Sequence, residues 1–201
     1  MTDVSHYLGL LADEWPSSHW GTVTWISGVE LETALDILGG DPDSELSLSF
    51  HDCHSAALKD FQLRGPLGSE ILLDRAGPWL VCIEPFGDGD AITGTLLELS
   101  RKGTAFSLQF HPDDSHTFSY AADGEALVVV HRIGEPTVEG PISLDEIAGD
   151  LVVLGADAEP VTWAAHALNI AERLTGFRLT AEWLRAEHPC FIGTRRGAAR
   201  V

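Results

Sequence analysis

Apolar side chains recur at helical spacing in the first forty residues. In residues 5–14 leucines and an alanine fall on one face and Pro16 follows, which predicts an N-terminal helix. A second helix is predicted before Gly39, because Ser27 and Glu30 have the spacing of a capping box ahead of an apolar stripe. The chain therefore opens with helical elements.

Residues further along switch to the two-residue alternation of strands. In 106–111 and 117–120 aromatic and leucine side chains alternate with polar ones, and the hairpin dipeptide Asp123-Gly124 precedes a run of valines. Helical spacing returns in residues 161–174, and Thr180 can cap a last short helix. The central segments predict an antiparallel meander with one apolar face and one more polar face.

This order of elements favours a single α+β domain, an antiparallel sheet with helices at its N- and C-terminal ends. The chain has 201 residues, 44% of them hydrophobic, which is enough for a substantial core. No repeat, low-complexity tract or linker divides residues 1–194. Residues 195–201 place three arginines among Gly and Ala, and we expect them to form a flexible basic tail.

The chain is strongly acidic, since 31 Asp and Glu against 12 Lys and Arg give a formal net charge of −19. Nucleic acids and anionic membrane surfaces both require clusters of Lys and Arg, so neither is expected as a partner. No apolar run approaches the roughly 18 residues that span a bilayer. The N-terminus lacks the basic start of a secretory signal, and three scattered cysteines are too few for a disulfide framework. We therefore expect a cytoplasmic protein with reduced thiols.

The negative charge is concentrated in the N-terminal part of the chain. Residues 1–58 contain ten acidic residues and no Lys or Arg. Such a segment either serves general solubility or steers a basic protein partner, because complementary potentials raise association rates. The steering hypothesis assigns partner binding to five carboxylates and one loop tryptophan, which are Asp13, Glu14, Trp20, Glu30, Glu32 and Asp36. Trp20 is the expected aromatic anchor.

Two short motifs carry a resemblance to a known family. They are Trp79 with Glu84-Pro85-Phe86-Gly87, and Ala171-Glu172-Arg173-Leu174-Thr175-Gly176. Together with the segments SGVELETALDILGG, LLELSRKGTAFSLQFH and FSYAADGEALVVVH, they resemble an uncharacterised domain family found mainly in high-GC Gram-positive bacteria. The similarity runs from about Leu8 to Leu184. It implies one domain in a bacterial cytoplasm and assigns no catalytic or ligand-binding residue.

Histidines near two predicted turns raise an alternative function. The segments His51-Asp52-Cys53-His54 and HPDDSH contain residue types that bind zinc. His51 shares a face with His54 if a helix begins there, and with Cys53 if the preceding strand continues. The alternative is a small metal-dependent hydrolase with zinc held by His51, His54, His111 and His116. No CxxC pair or HExxH motif accompanies them, and ordinary turns explain the same residues.

Other catalytic chemistry has weaker signals. A carboxylate, an amide and two imidazoles would converge on the polar face of the sheet in one strand register, namely Glu84, Gln109, His111 and His131. Cys190 is expected to be an exposed thiol, and neither a GxSxG elbow nor a P-loop is present.

We therefore expect a protein that binds rather than catalyses. The concrete hypothesis is a regulatory or immunity-type inhibitor of a basic protein, with an oligomeric state that the sequence does not specify. It requires the N-terminal carboxylates to face outward together. Their dispersal around the molecule, or their neutralisation by arginines from later in the chain, would remove its basis.

Overall fold

A computed structural model describes residues 4–15, 21–64, 68–86, 89–111, 113, 115–133, 149–154 and 157–194. In these residues the chain forms seven helices and eight strands. Their order is α1 (Val4–Asp13), β1 (Gly21–Ile26), α2 (Leu31–Leu38), β2 (Gly40–Leu48), α3 (Phe50–Arg64), β3 (Gly68–Ala76), β4 (Trp79–Pro85), α4 (Gly89–Leu99), β5 (Thr104–Phe110), β6 (Thr117–Ala122), β7 (Glu125–His131), α5 (Gly149–Leu154), α6 (Pro160–Thr175), α7 (Ala181–Arg185) and β8 (His188–Thr194). The predicted α+β class is confirmed.

The eight strands of the described chain form one antiparallel sheet in the order β2-β8-β3-β4-β1-β5-β6-β7. Strands β5, β6 and β7 are the predicted meander, and Asp123-Gly124 turns the last hairpin with positive φ at both residues. Strand β8 lies between β2 and β3, so the chain returns to the sheet after α7. Strand β8 was not predicted from the sequence, because its second residue, Pro189, cannot donate to a strand ladder.

One face of the sheet packs against α1, α3, α5, α6 and α7. The rings of Trp25 on β1 and Phe106 on β5 stack with centroids 5.2 Å apart, and Trp163 of α6 is fully buried in the same cluster. Trp15, just after α1, stacks on Phe50 of α3. These aromatic contacts join the N-terminal and C-terminal helices into one core layer, because helices from both ends meet over the same strands.

The opposite face of the sheet is covered in part by helices. Helices α2 and α4 cover part of it, with Leu35 and Leu96 among the residues packed against Ile26 and Leu80. All six residues of β1 are buried as a result. Helices therefore cover both faces of the sheet at β1. Polar side chains are concentrated at one end of the face.

The entry into α2 shows why its predicted capping box does not form. The side chain of Ser27 contacts Thr104 instead, with its Oγ 2.8 Å from Thr104 Oγ1, and the N-cap of α2 is Glu30. At the next residue, Gly28 has a φ of 75°, and a Cβ there would stand 2.2 Å from the carbonyl oxygen of Lys102. Glycine is required because the two turns touch through their backbones.

The N-cap of the last helix was predicted correctly. Thr180 accepts a hydrogen bond from the backbone N–H of Trp183 at 3.1 Å and begins α7. Helix α3 begins at Phe50, so the helical alternative for residues 51–54 is the one that the chain adopts. The expected flexible tail, residues 195–201, lies outside the described residues.

Candidate functional site

Six exposed carboxylates lie on α2, its N-cap residue and the edge strand β2. The helix and the strand follow each other in the chain and pack together. The carboxylates, which we call the acidic surface, are Glu30, Glu32, Asp36, Asp41, Asp43 and Glu45. Arg75 Nη2 donates to Glu30 Oε2 at 2.5 Å, but both side chains are solvated, so this pair contributes little to stability.

A bulge in β2 orders part of the acidic surface. Asp41 pairs with Ile192 of β8 and Leu46 pairs with Cys190, so the four residues 42–45 of β2 stand opposite the single residue Phe191 of β8. Ser44 Oγ accepts from the backbone N–H of Ile192 at 2.8 Å, and Asp41 Oδ1 accepts from the N–H of Asp43 at 3.0 Å. Because the bulge interrupts the strand edge, side chains rather than strand addition are available to a partner here.

Glu14 does not belong to an outward-facing surface. Its side chain is 3% exposed and accepts hydrogen bonds from Arg185, including one from Nε at 3.2 Å. His51 Nε2 lies 3.2 Å from Glu14 Oε2. The assignment of Glu14 to partner binding is therefore corrected: the residue follows α1 directly, where α3 and α7 approach, and an arginine from late in the chain neutralises it.

The remaining predicted partner-binding residues are not all in one place. Asp13 is exposed, but α1 packs on the opposite side of the sheet from α2, so the sheet separates Asp13 from the acidic surface. Trp20 lies outside the described residues. The structure brings together Glu30, Glu32 and Asp36, and adds three carboxylates of β2 that the sequence analysis did not select.

His51 and His54 lie one turn apart on α3. The ring of His51 faces Glu14, whereas the ring of His54 lies 5.4 Å from that of Phe86 between centroids. Burial, and secondarily the proximity of His51, lowers the pKa of His54. On α3, the imidazole of His51 therefore lies beside the Glu14 carboxylate, and that of His54 packs near the Phe86 ring.

His111 and His116 flank the turn between β5 and β6. The backbone N–H of His111 donates to His116 Nδ1 at 3.2 Å, and His111 Nδ1 lies 3.4 Å from Asp113 Oδ1. His116 is buried with its ring edge against Phe110. Across the residues that the structure describes, no group of three or more His, Cys, Asp or Glu could hold a metal ion. The zinc-dependent hydrolase stays a prediction.

All three cysteines are free and buried. Cys53 Sγ on α3 lies 3.3 Å from Cys190 Sγ on β8, so the expectation of an exposed Cys190 is wrong. The strand that the sequence analysis missed places Cys190 inside the sheet. The hydrogen bond with Cys190 and burial raise the pKa of Cys53, and burial raises that of Cys82. Both groups therefore remain thiols at neutral pH.

One row of polar side chains crosses five strands on the face that α2 and α4 partly cover. Thr22 of β1 pairs with Glu84 of β4 on one side and with Gln109 of β5 on the other. The row continues through Thr117 of β6 to His131 of β7. Directly paired residues of antiparallel strands point to the same face. We call these five residues the polar row.

The polar row is exposed at His131, buried at Thr22 and Gln109, and partly accessible at Glu84. His131, on an edge strand, is exposed and its Nδ1 lies 3.0 Å from Thr117 Oγ1. Thr22 and Gln109 are 1% and 6% exposed, and among the described residues neither Thr22 Oγ1 nor Gln109 Nε2 has a hydrogen-bond partner. Glu84 keeps a partly accessible surface, yet burial raises its pKa from 4.5 to about 7.

The sequence analysis identified part of this row. Glu84, Gln109 and His131 lie on it because the register runs straight across the strands, whereas His111 follows the end of β5. Thr22 was missed. The alternation of threonines with apolar residues in TVTWI was the available signal for a polar side of β1.

Comparison with known proteins yields a family match. A family model described as "Family of unknown function (DUF6461)" matches residues 11–191. No curated protein and no solved structure matches the chain. In the described ranges, none of the helices has the length and hydropathy of a membrane span.

Proposed function

Because the chain belongs to DUF6461, a family of unknown function, we propose its role from its own surface: it is a binding module that recognises a basic protein partner. The observation that carries this proposal is the acidic surface, with six exposed carboxylates on two packed elements. They come from a stretch of the chain without Lys or Arg. Complementary charge of this kind speeds association and selects against acidic partners.

Two exposed apolar side chains supply the apolar contact area that the carboxylates lack. Leu46 of β2 is 57% exposed and Ile192 of β8 is 50% exposed, on adjacent strands at the β2 edge of the sheet. Leu46 pairs with Cys190, and Ile192 lies two residues further along β8, so both point to the face opposite α2 and would contact a partner that wraps the β2 edge. Exposed charges contribute more to association rate than to affinity, whereas buried apolar contacts slow dissociation. In this proposal Leu46 and Ile192 take the anchoring role that the sequence analysis assigned to Trp20.

The proposal includes a setting. We place the protein in a bacterial cytoplasm, as a regulatory or immunity-type inhibitor of its basic partner. Three free, buried thiols suit a reducing compartment.

The experiment is affinity capture with the full chain at low and high salt, followed by zero-length carbodiimide coupling, which joins carboxylates to lysines. We expect a basic protein that is captured at 50 mM salt, where the Debye length is about 14 Å. It should be largely lost at 300 mM, because salt screens surface charges. Its lysines should couple to Glu32, Asp36, Asp43 or Glu45.

A pair of matched variants separates the acidic surface from net charge. Glu32→Lys with Asp36→Lys should reduce capture about tenfold or more, since charge reversal replaces attraction by repulsion. The control pair, Asp157→Lys with Glu182→Lys, changes the net charge by the same amount as the first pair. Asp157 lies shortly before α6 and Glu182 lies on α7, both exposed and away from α2, so this variant should retain capture. Equal loss in both pairs, or a partner insensitive to salt, would indicate that the carboxylates serve only solubility.

A further inference from the structure

The inner end of the polar row combines buried polar groups with no role in the acidic surface. Glu84, Thr22 and Gln109 lie on β4, β1 and β5, which are separated from β2 by two other strands. Within the described part of the chain the Thr22 hydroxyl and the Gln109 Nε2 are buried without hydrogen-bond partners, which costs stability, and folded proteins satisfy most such groups. Two of them side by side in one cross-strand row point to something that the row binds.

The spacing of the strands sets the size of what can fit. Adjacent strands are about 4.8 Å apart, so the backbones of Glu84 and Gln109 are about 10 Å apart with Thr22 between them. Thr22 has a short side chain, and the two longer side chains flank it. The row therefore places a carboxyl group, a hydroxyl and an amide N–H on three adjacent strands of one sheet face.

The hydrogen-bonding pattern selects the ligand. An ionised Glu84 only accepts, Gln109 Nε2 only donates, and the Thr22 hydroxyl can do either. The carboxylate would repel a simple anion, and Nε2, which only donates, could not accept a hydrogen bond from a simple ammonium ion. We propose that the inner end of the polar row binds a small uncharged ligand that presents an N–H donor beside a carbonyl or ring-nitrogen acceptor, as in a primary amide or an aminopyrimidine. The donor faces Glu84 and the acceptor faces Gln109.

The ionisation of Glu84 makes this recognition dependent on pH. Because burial raises the pKa of Glu84 to about 7, the acceptor state of the carboxyl group increases as pH rises through neutrality. The ligand donates to that state. Affinity should therefore be higher at pH 8 than at pH 6.

The experiment uses the ¹⁵N-labelled full chain and follows the side-chain amide resonance of Gln109, assigned by its loss in Gln109→Leu. The probes are 1-methylcytosine and nicotinamide, with 1-methyl-N4,N4-dimethylcytosine and N,N-dimethylnicotinamide as controls that lack the donor. We expect both probes to shift the resonance saturably at millimolar concentration. The dimethylated controls should bind about tenfold more weakly, as expected for loss of a hydrogen bond to a charged group.

Two variants distinguish a binding site from a structural polar cluster. Thr22→Val keeps the shape and removes the unpaired hydroxyl, so it should raise the melting temperature while weakening probe binding about fivefold. Thr24→Val changes a buried threonine one position further along the same face, and should leave probe binding within about twofold.

Glu84→Gln should weaken binding about tenfold at pH 8 and remove its pH dependence, because the amide cannot ionise. The proposal is overturned if neither probe shifts the Gln109 resonance, if the dimethylated probes act equally, or if Thr22→Val stabilises the protein without changing probe affinity. That last result would identify the polar row as an internal feature of the sheet. None of these outcomes bears on the acidic surface.

Discussion

Glu14 and Arg185 form an ion pair across 171 positions of the chain, with the carboxylate 3% and the guanidinium side chain 67% exposed. The pair joins the end of α1 to α7. The two charged groups differ in what each would contact if the other were removed. Without Glu14, Arg185 can remain hydrated at the surface. Without Arg185, the Glu14 carboxylate stays buried with His51 as its remaining described partner.

This asymmetry predicts unequal losses of stability. Arg185→Gln should lower the free energy of unfolding by about 2–4 kcal/mol, since it strands a buried charge, and Glu14→Gln by about 1–2 kcal/mol. Urea denaturation measures both. Arg75→Gln removes the solvated partner of Glu30 and should cost at most about 0.5 kcal/mol. Similar losses for Arg185 and Arg75 would mean that burial of Glu14 does not govern the pair.

The close approach at Gly28 predicts opposite effects of two Gly→Ala changes. Gly28→Ala places a Cβ against the Lys102 carbonyl at positive φ, and should lower stability by about 2–4 kcal/mol. Gly9→Ala, on α1, meets nothing within 4 Å and should raise stability by about 0.5–1 kcal/mol, because alanine favours the helix. Thermal denaturation of both variants checks the signs. A tolerated Gly28→Ala would show that the two turns can move apart.

The raised pKa of Glu84 predicts a dependence of stability on pH. The unfolded chain loses this proton near its ordinary pKa of 4.5, while the folded protein retains it to about 7. The contribution of Glu84 is therefore complete below pH 4.5, decreases as pH rises to about 7 and is constant above. It amounts to at most about 3 kcal/mol.

Comparison with Glu84→Gln isolates this term, because other titrating groups are common to both proteins. The difference in unfolding free energy between variant and wild type should shift in favour of the variant between pH 4.5 and pH 8. A difference that is flat with pH would show that Glu84 ionises normally in the folded protein.

The buried thiols predict slow labelling. Cys53, Cys82 and Cys190 are all buried. The hydrogen bond with Cys190 and burial raise the pKa of Cys53, and burial raises that of Cys82. In a native protein none of the three should react with a disulfide reagent on the timescale of minutes, whereas all should react in denaturant. Rapid native labelling of Cys190 would indicate that β8 leaves the sheet readily.

Local determinants made part of the fold predictable. The Asp123-Gly124 turn needs only positive φ at two residues, and Thr180 needs only a side-chain oxygen three residues before a backbone N–H. The stripe that ends at Gly39 places α2 correctly. The capping box at Ser27 failed because Thr104, distant in sequence, competes for the same hydroxyl. The candidate site was predictable only in fragments, since Glu84 and Gln109 could be selected but not placed together.

Sequence by itself determined the α+β class, the meander with its hairpin, the acidic N-terminal segment and most helix positions, because these depend on side-chain spacing within a few residues. Tertiary structure alone decided that β8 pairs between β2 and β3, that Glu14 is neutralised by Arg185 while Glu32 and Asp36 face outward, and that Glu84, Thr22 and Gln109 share a row. Strand order and register bring together residues far apart in the chain. Those pairings depend on the packing of both sheet faces at once, and no local pattern records them.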